Sequence, residues 1–413
     1  MEIKNDISDR LSGVVSSATL VMSMKAQQMR RKGEKVINFT VGEPDFNTPG
    51  YIVEAAKKAL DAGSTKYTAT GGIAELRTAI CAKLKNDNGL DYKPNQIVVS
   101  NGAKQAVFNA VMALINPGDE VIIPAPYWVT YPELVKLAGG VPVIVDQGFK
   151  LTPSALEKAI TPKTKAVIIN SPNNPTGAVY SEAELRALAK VTKEAGIWVI
   201  SDEIYEKLIY PQSVSGQQSK AIAAGSKYII SDNHNCGSIK DTKSEISCHG
   251  RHWSIAKCHE KTIVINGFSK SHAMTGWRLG YTASPSDLAA VMENMQSHVT
   301  SNVNTMTQYA ALEALNGDMK DMVAEFDKRR KYMVKRLQEM NIDFSVPDGA
   351  FYIMVKVGDG DKVASELLEK AKAAVVPGSA FGAPEYIRLC YTLSMKDIEE
   401  GLNAVEKFFR QGS

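Results

Sequence analysis

Short apolar runs, most of them β-branched, alternate along much of the chain with segments of helical spacing. Ile52 to Leu60 and Ile73 to Asn86 show the i, i+3, i+4 recurrence of amphipathic helices. Gln96 to Ser100 (QIVVS) is a short strand that runs through Asn101-Gly102-Ala103-Lys104 into an apolar helix, Ala106 to Ile115. Further strands are predicted at Glu120 to Ile123, Val143 to Val145, Ala166 to Asn170, Gly196 to Ser201 and Thr262 to Ile265, with a helix from Ser181 to Glu194. Apolar strands alternating with helices predict a mostly parallel sheet covered on both faces, an α/β architecture. In such sheets ligands collect beyond the carboxyl ends of the strands.

Past Tyr281 the pattern is helical through Lys335, including Asn304 to Leu315. Phe344 to Val355, Ala374 to Val376 and Tyr386 to Tyr391 then read as strands of a smaller domain. At the other end, Ser8 to Arg31 reads as an arm with a helical, basic tail, and VINFTVG, ending at Gly42, as a strand. The expected division is a large unit, residues 48–284, and a small unit combining 1–47 with 285–413.

A length of 413 residues with 44% hydrophobic and 23% charged positions supplies ample core for two or three domains. No apolar run approaches the roughly 18 residues of a membrane span, and MEIKNDISDRLSG lacks the basic-then-apolar pattern of a secretion signal. A net charge of +3 with scattered basic residues argues against a nucleic-acid footprint. Five cysteines at irregular spacing predict reduced thiols and a cytoplasmic protein.

The chemistry concentrates in KTIVINGFSKSHAMTGWRLGY, Lys261 to Tyr281, where an apolar strand breaks at Asn266-Gly267 and delivers Lys270 into a polar turn, with Arg278 following. A lysine becomes a nucleophile at neutral pH only when its ammonium form is destabilised, and its commonest covalent use is an imine with an aldehyde cofactor. Arg278 supplies a fixed cation suited to phosphate. Backbone amides at the start of the helix after Gly102 and Ala103 form a candidate anion site. Asp202, directly after an apolar strand, is either a helix cap or a buried carboxylate in need of a cation such as a protonated pyridine nitrogen. Tyr67 and Trp128, taken singly, are consistent with ordinary packing, and Gly42 with a turn as much as with a close ligand.

SPNNPTG, SDEIYE, the SK of Lys270 with the arginine of MTGWRLGY, and Tyr386-Ile387-Arg388-Leu389, in that order, closely resemble the pyridoxal-phosphate aminotransferases of the aspartate aminotransferase family. The resemblance spans nearly the whole chain. It implies a large domain with a seven-stranded, mostly parallel sheet and a smaller α+β domain. It further implies that Lys270 forms the internal aldimine, that Asp202 pairs with the pyridine nitrogen, that Asn174 and Tyr205 hydrogen-bond the ring hydroxyl oxygen, and that Trp128 stacks on the ring. Gly102, Ala103 and Arg278 would hold the phosphate, with Tyr67 reaching it from the partner of a homodimer. Arg388 would grip the substrate α-carboxylate, with Gly42 close by. One departure is visible: where some branches carry a phosphate-binding hydroxyl three residues before the lysine, this chain has Gly267.

The same constellation serves lyases, so transamination is what the resemblance implies, with a non-catalytic cofactor-binding regulator as the contrasting class. Branches specific for aspartate use a partner-subunit arginine or a lysine in the helix-start turn. Met295 to Asn304 (MQSHVTSNVN) contains no arginine, whereas Lys104 stands in that turn, making it the candidate for the distal carboxylate with help from Thr19. The expected reaction is aspartate plus 2-oxoglutarate, with a broader, aromatic or prephenate specificity as the alternative. The segment from Pro211 to Cys258 is longer than the connection the resemblance implies. Its His234, Cys236, Cys248, His249, His252 and Cys258, with His259, invite a zinc reading, but no C-x-x-C or H-x-x-x-H is present, and the segment is expected to be a surface excursion without metal.

Overall fold

A computed structural model describes Ser8, Leu11, Val14 and residues 18–211 and 252–411. Its strands, in chain order, are β1 (Ile37–Asn38), β2 (Ile97–Ser100), β3 (Glu120–Ala125), β4 (Val141–Asp146), β5 (Thr164–Asn170), β6 (Trp198–Asp202), β7 (Thr262–Gly267), β8 (Gly280–Ala283), β9 (Tyr352–Lys356), β10 (Ala373–Ala374), β11 (Val376–Pro377) and β12 (Tyr386–Cys390). Seven of them form one sheet in the order β2-β8-β7-β6-β5-β3-β4. The central pairings β3 with β5, β5 with β6 and β6 with β7 are parallel, and β8 alone runs against its neighbours β7 and β2.

The central strands read as unbroken apolar runs because helices cover both faces. Ile200, Ile263 and Ile265 pack on one side, and Val167, Ile169 and Val199 on the other. Each such fully buried side chain contributes about 1.5–3 kcal/mol relative to exposure. The covering helix Glu182–Glu194 begins where the sequence predicts it. Ser181 accepts from the Glu184 amide at 3.3 Å while the Glu184 carboxylate accepts from the Ser181 amide at 2.7 Å, which satisfies two otherwise orphan donors.

The small body joins the arm helix Ala18–Arg31 and the parallel pair β1–β10 to the antiparallel sheet β11-β12-β9 and the helices Lys320–Glu339, Gly360–Ala371 and Met395–Gln411. Its core gathers Phe39, Phe326, Phe351, Ile353, Leu367, Ile387 and Leu402, together with Tyr205, Leu208 and Tyr210 from the segment after β6. That shared cluster puts the carboxyl end of β6 against the small body.

The helices Ser286–Val299 and Thr305–Ala314 pack on the large sheet, through Ala289 and Met292 in one cluster and Ala310, Ala311 and Ala314 in another. Two expectations need adjustment. Of VINFTVG only Ile37 and Asn38 form a strand. The run from Phe344 is interrupted because Ala350 takes a left-handed φ of 55°, so Phe344 makes an isolated bridge with Val355 and the regular strand starts at Tyr352. Among the described residues no helix is long and apolar enough to cross a membrane.

Candidate active site

The carboxyl ends of β2, β5, β6 and β7 converge, and the turn after β7 carries Lys270. A side chain on Gly267 would meet the Gly280 Cα at 2.8 Å and the Leu279 carbonyl at 2.9 Å, so close strand approach bars a hydroxyl at that position. Lys270 Nζ donates to the Gly42 carbonyl at 2.6 Å. Burial pushes its pKa down from 10.5 to about 8; Glu43 opposes the shift, and the Arg278 and Arg388 cations add to it. A lysine so placed holds a substantial neutral fraction near pH 8 and can act as nucleophile or base.

Asp202 closes β6 and is buried. Tyr131 donates its hydroxyl to Oδ2 at 2.6 Å, and the Ile204 amide donates to Oδ1 at 3.2 Å. Burial pushes the carboxyl up to about 6, against the pull of these two donors. One oxygen caps the turn, and neither these donors nor the Lys270 cation offsets the desolvation of the group. Asn170, the last residue of β5, donates to the Asp202 carbonyl at 2.9 Å and accepts from the Asn174 amide at 2.8 Å, which ties the SPNNPTG loop to β6.

Gly102 precedes the helix Ala103–Leu114 with a φ of 83°, and a Cβ there would lie 2.5 Å from Arg278 Nη2. Only glycine fits between the helix start and the guanidinium. Arg278 is anchored by the Thr275 carbonyl at 2.9 Å and the Asn101 carbonyl at 3.3 Å. A cleft of about 600 Å³ opens over it, lined in part by Thr48, Asn101, Trp277 and Asn304. Lys104, in the first helical turn, sets its Nζ 5.1 Å from the centre of the Trp128 ring. Partial burial and the Arg278 cation lower its pKa. Trp128 in turn stands edge-to-face with Tyr131 at 5.3 Å.

Arg388 on β12 is buried between the rings of Tyr352, at 4.5 Å, and Phe381, at 4.9 Å. It donates to Asn174 Oδ1 at 3.0 Å and to the Thr40 carbonyl at 2.9 Å, while its buried Nε has no partner. A buried cation whose hydrogen bonds go to neutral oxygens is poised for a carboxylate. Tyr205 lies alongside, its hydroxyl 2.8 Å from that of Tyr352.

The structure thus brings together Lys270, Asp202, Asn174, Tyr205, Arg388 and Gly42, and beside them Gly102, Ala103, Arg278, Lys104 and Trp128. Tyr67 is 89% exposed, and Thr19 lies half-buried on the arm helix. Of the cysteines and histidines around the long segment, His234, Cys236, Cys248 and His249 fall outside the described residues. His259 bonds the Ile197 carbonyl at 2.9 Å and Cys258 the Ile255 carbonyl at 3.4 Å, while His252 Nε2 lies 2.8 Å from Glu203 Oε2. Glu203, Glu206 and His252 are close together, but Glu206 is already bound to Lys83 and Asn88, which fixes a cation of the protein itself in the cluster.

Sequence reasoning missed Tyr131, Asn170 and Tyr352. Tyr131 had one legible signal, a hydroxyl-tipped aromatic among the apolar positions of a helix that follows a strand end. Such a residue needs a buried acceptor.

The donors present fit pyridoxal phosphate: a glycine cradle that a Cβ would fill beside Arg278, a desolvated amine, a buried carboxylate short of a cation, and a buried guanidinium with an orphan Nε. Residues 34–405 match the family model described as aminotransferase class I and II. The chain is 43% identical to the aspartate aminotransferase of Bacillus sp. (strain YM-2), covering 99% of this chain and all of that protein. It is 41% identical to the aspartate/prephenate aminotransferase of Cereibacter sphaeroides, over 97% of this chain and 98% of the relative. The crystal structure of aspartate aminotransferase from Thermotoga maritima superposes with a TM-score of 0.86 at 40% identity, covering 98% of this chain and 100% of that one. Fold, donor set and full-length similarity agree: the chain belongs to the class I and II aminotransferases, enzymes that work with pyridoxal phosphate.

Proposed function

We propose that the protein moves the amino group of aspartate to 2-oxoglutarate. The observation that carries the transaminase reading is the meeting within one site of a desolvated Lys270 amine, a buried Asp202 and a buried Arg388 whose Nε has no hydrogen-bond partner among the described residues. Bound there, pyridoxal phosphate supplies an aldehyde for the amino group and a cationic ring that takes up electrons. Asp202 would hold the proton on the ring nitrogen through a charge-assisted bond. Asn174 and Tyr205 would hydrogen-bond the ring oxygen, Trp128 would pack on the ring, and Gly102, Ala103 and Arg278 would hold the phosphate. Arg388 grips the α-carboxylate in a fork beside Gly42 and so aims the α-hydrogen. Lys270 Nζ, which burial leaves with a substantial neutral fraction near pH 8, would take the α-proton.

The large unit, residues 48–284, would hold the cofactor, and the arm with 285–413 would carry Arg388. Because the helices up to Ala314 rest on the large sheet, closure on substrate would be taken up by the elements beyond them. A cytoplasmic setting agrees with Cys81, Cys258 and Cys390 standing as free thiols.

For aspartate the supporting observation is Lys104, whose Nζ lies 5.1 Å from the Trp128 ring centre and would meet a distal carboxylate, with Thr19 on the arm as a second candidate. Comparing kcat/KM for aspartate, alanine and phenylalanine in wild type and Lys104→Ala tests it. Aspartate should lose about 30-fold or more, equivalent to ~2 kcal/mol for a charge-assisted contact, while alanine barely changes. Equal losses for all three would assign Lys104 to cofactor or fold. The Cereibacter sphaeroides relative favours a second reading, in which prephenate is also a substrate; assaying prephenate in the same series decides it.

The working unit would be a homodimer with shared sites. Tyr67 at 89% exposure, with Leu20, Met24 and Val299 also exposed, leaves apolar surface that a second copy would cover. In sedimentation the active species should be a dimer, and Tyr67→Phe should weaken cofactor retention. A fully active monomer at assay concentration would contradict this arrangement.

A further inference from the structure

Tyr352 touches three parts of the site without belonging to the set the sequence picks out. It opens β9, and in the antiparallel register it lies opposite Cys390, two residues along from Arg388. Residues directly opposite in such a pair share a face, so Tyr352 and Arg388 are diagonal neighbours on one side of the sheet. The consequence is visible as the 4.5 Å approach of the guanidinium to the ring. The phenolic oxygen points the other way, 2.8 Å from the Tyr205 hydroxyl. It also fills the space beside Gly42, where a Cβ would sit 3.0 Å from it. Gly42 is the residue whose carbonyl accepts from Lys270. Both tyrosines are buried, and each hydroxyl would otherwise be an unsatisfied polar group.

We propose that Tyr352 is a positioning residue for amino transfer, its ring holding Arg388 in register for the α-carboxylate and its hydroxyl orienting Tyr205. The proposal rests on the roles given above to Arg388 and Tyr205. The two functions sit on different atoms of one side chain. The ring supplies cation–π attraction and a wall that stops the guanidinium from swinging away. A second ring, Phe381, lies 4.9 Å from the same guanidinium and adds to the aromatic packing around it. The hydroxyl can donate to Tyr205 Oη, leaving the Tyr205 proton directed at the cofactor ring oxygen. With its oxygen satisfied in this way, Tyr205 is a stronger donor in the other direction, as expected for hydrogen bonds in series.

The test uses holoenzyme with Tyr352→Phe and Tyr352→Leu. Tyr352→Phe keeps the ring and should leave the dissociation constant of a non-reacting carboxylic acid, succinate, within about twofold of wild type. It should also raise the pH midpoint of the cofactor's visible absorbance, because a weaker Tyr205 donor stabilises the anionic ring oxygen less. Tyr352→Leu loses both functions. Succinate binding should weaken about tenfold, within the range expected for a desolvated cation–π contact. KM for aspartate and alanine should rise together, with a smaller change in kcat. A merely structural role would lower the melting temperature and move neither the absorbance midpoint nor succinate binding, and that result overturns the proposal. So does a Tyr352→Leu protein that binds succinate as Tyr352→Phe does. Wild-type protein that binds cofactor but transfers no amino group contradicts the functional reading instead, and the two failures are thereby distinguished.

Discussion

Replacing Lys270 by alanine should abolish amino transfer to at least about 10⁴-fold below wild type, the upper end of what a positioned acid–base group contributes, because the same amine also holds the cofactor. The other groups assigned to the cofactor lie on Asp202, Tyr205, Gly102 and Arg278, so the variant should still bind it. In the wild type, borohydride should fix the cofactor to the peptide containing Lys270; recovery on another lysine would refute the assignment. The pH dependence follows from the site. The folded-state pKa of about 8 lies below the unfolded value of 10.5, so folding favours the neutral amine. That stability is complete above the unfolded value and is lost as the pH falls through about 8. Acylation of Lys270 in the cofactor-free protein should accordingly show a midpoint near pH 8, well below that of an exposed lysine.

Asp202→Asn should cost about 30- to 5,000-fold in kcat/KM for every amino donor, equivalent to the ~2–5 kcal/mol expected when one partner of a buried charge pair is neutralised. Asparagine keeps the shape and can still accept from Tyr131, so the loss isolates the charge. The effect should be common to aspartate, alanine and phenylalanine, which separates it from the aspartate-selective loss at Lys104. Retention of activity within tenfold would show that the carboxylate is a turn cap and no more.

The large sheet and most of its site were legible because parallel strands buried on both faces must be apolar throughout, and the residues that break those runs stand at strand ends. Asp202, Lys270 and the Gly102 turn are all such breaks. Arg388 was legible only through the family resemblance carried by Tyr386-Ile387-Arg388-Leu389. What escaped depends on pairing between distant segments. Nothing local marks Tyr352 as a neighbour of Tyr205 and Arg388, since its contacts follow from the register of β9 with β12 and from the packing of the segment after β6 on the small body. Tyr131 escaped for a similar reason, its acceptor lying 71 positions away. The packing of the helices after residue 285 on the large sheet was not legible, because helical periodicity reveals an apolar stripe but not which layer it covers; Ala310, Ala311 and Ala314 face the large sheet's side.

The bond from Arg388 to the Thr40 carbonyl spans 348 positions. During synthesis, a chain could emerge with its cofactor lysine, phosphate cradle and central sheet all formed while the carboxylate clamp was still inside the ribosome. Any cofactor captured at that stage would meet a site without Arg388, the residue proposed to grip the α-carboxylate. Such a long-range closure also raises contact order, and with it the time spent partly folded. Cofactor bound before that closure would stabilise the sheet by mass action, acting as a folding ligand before it acts as a reagent.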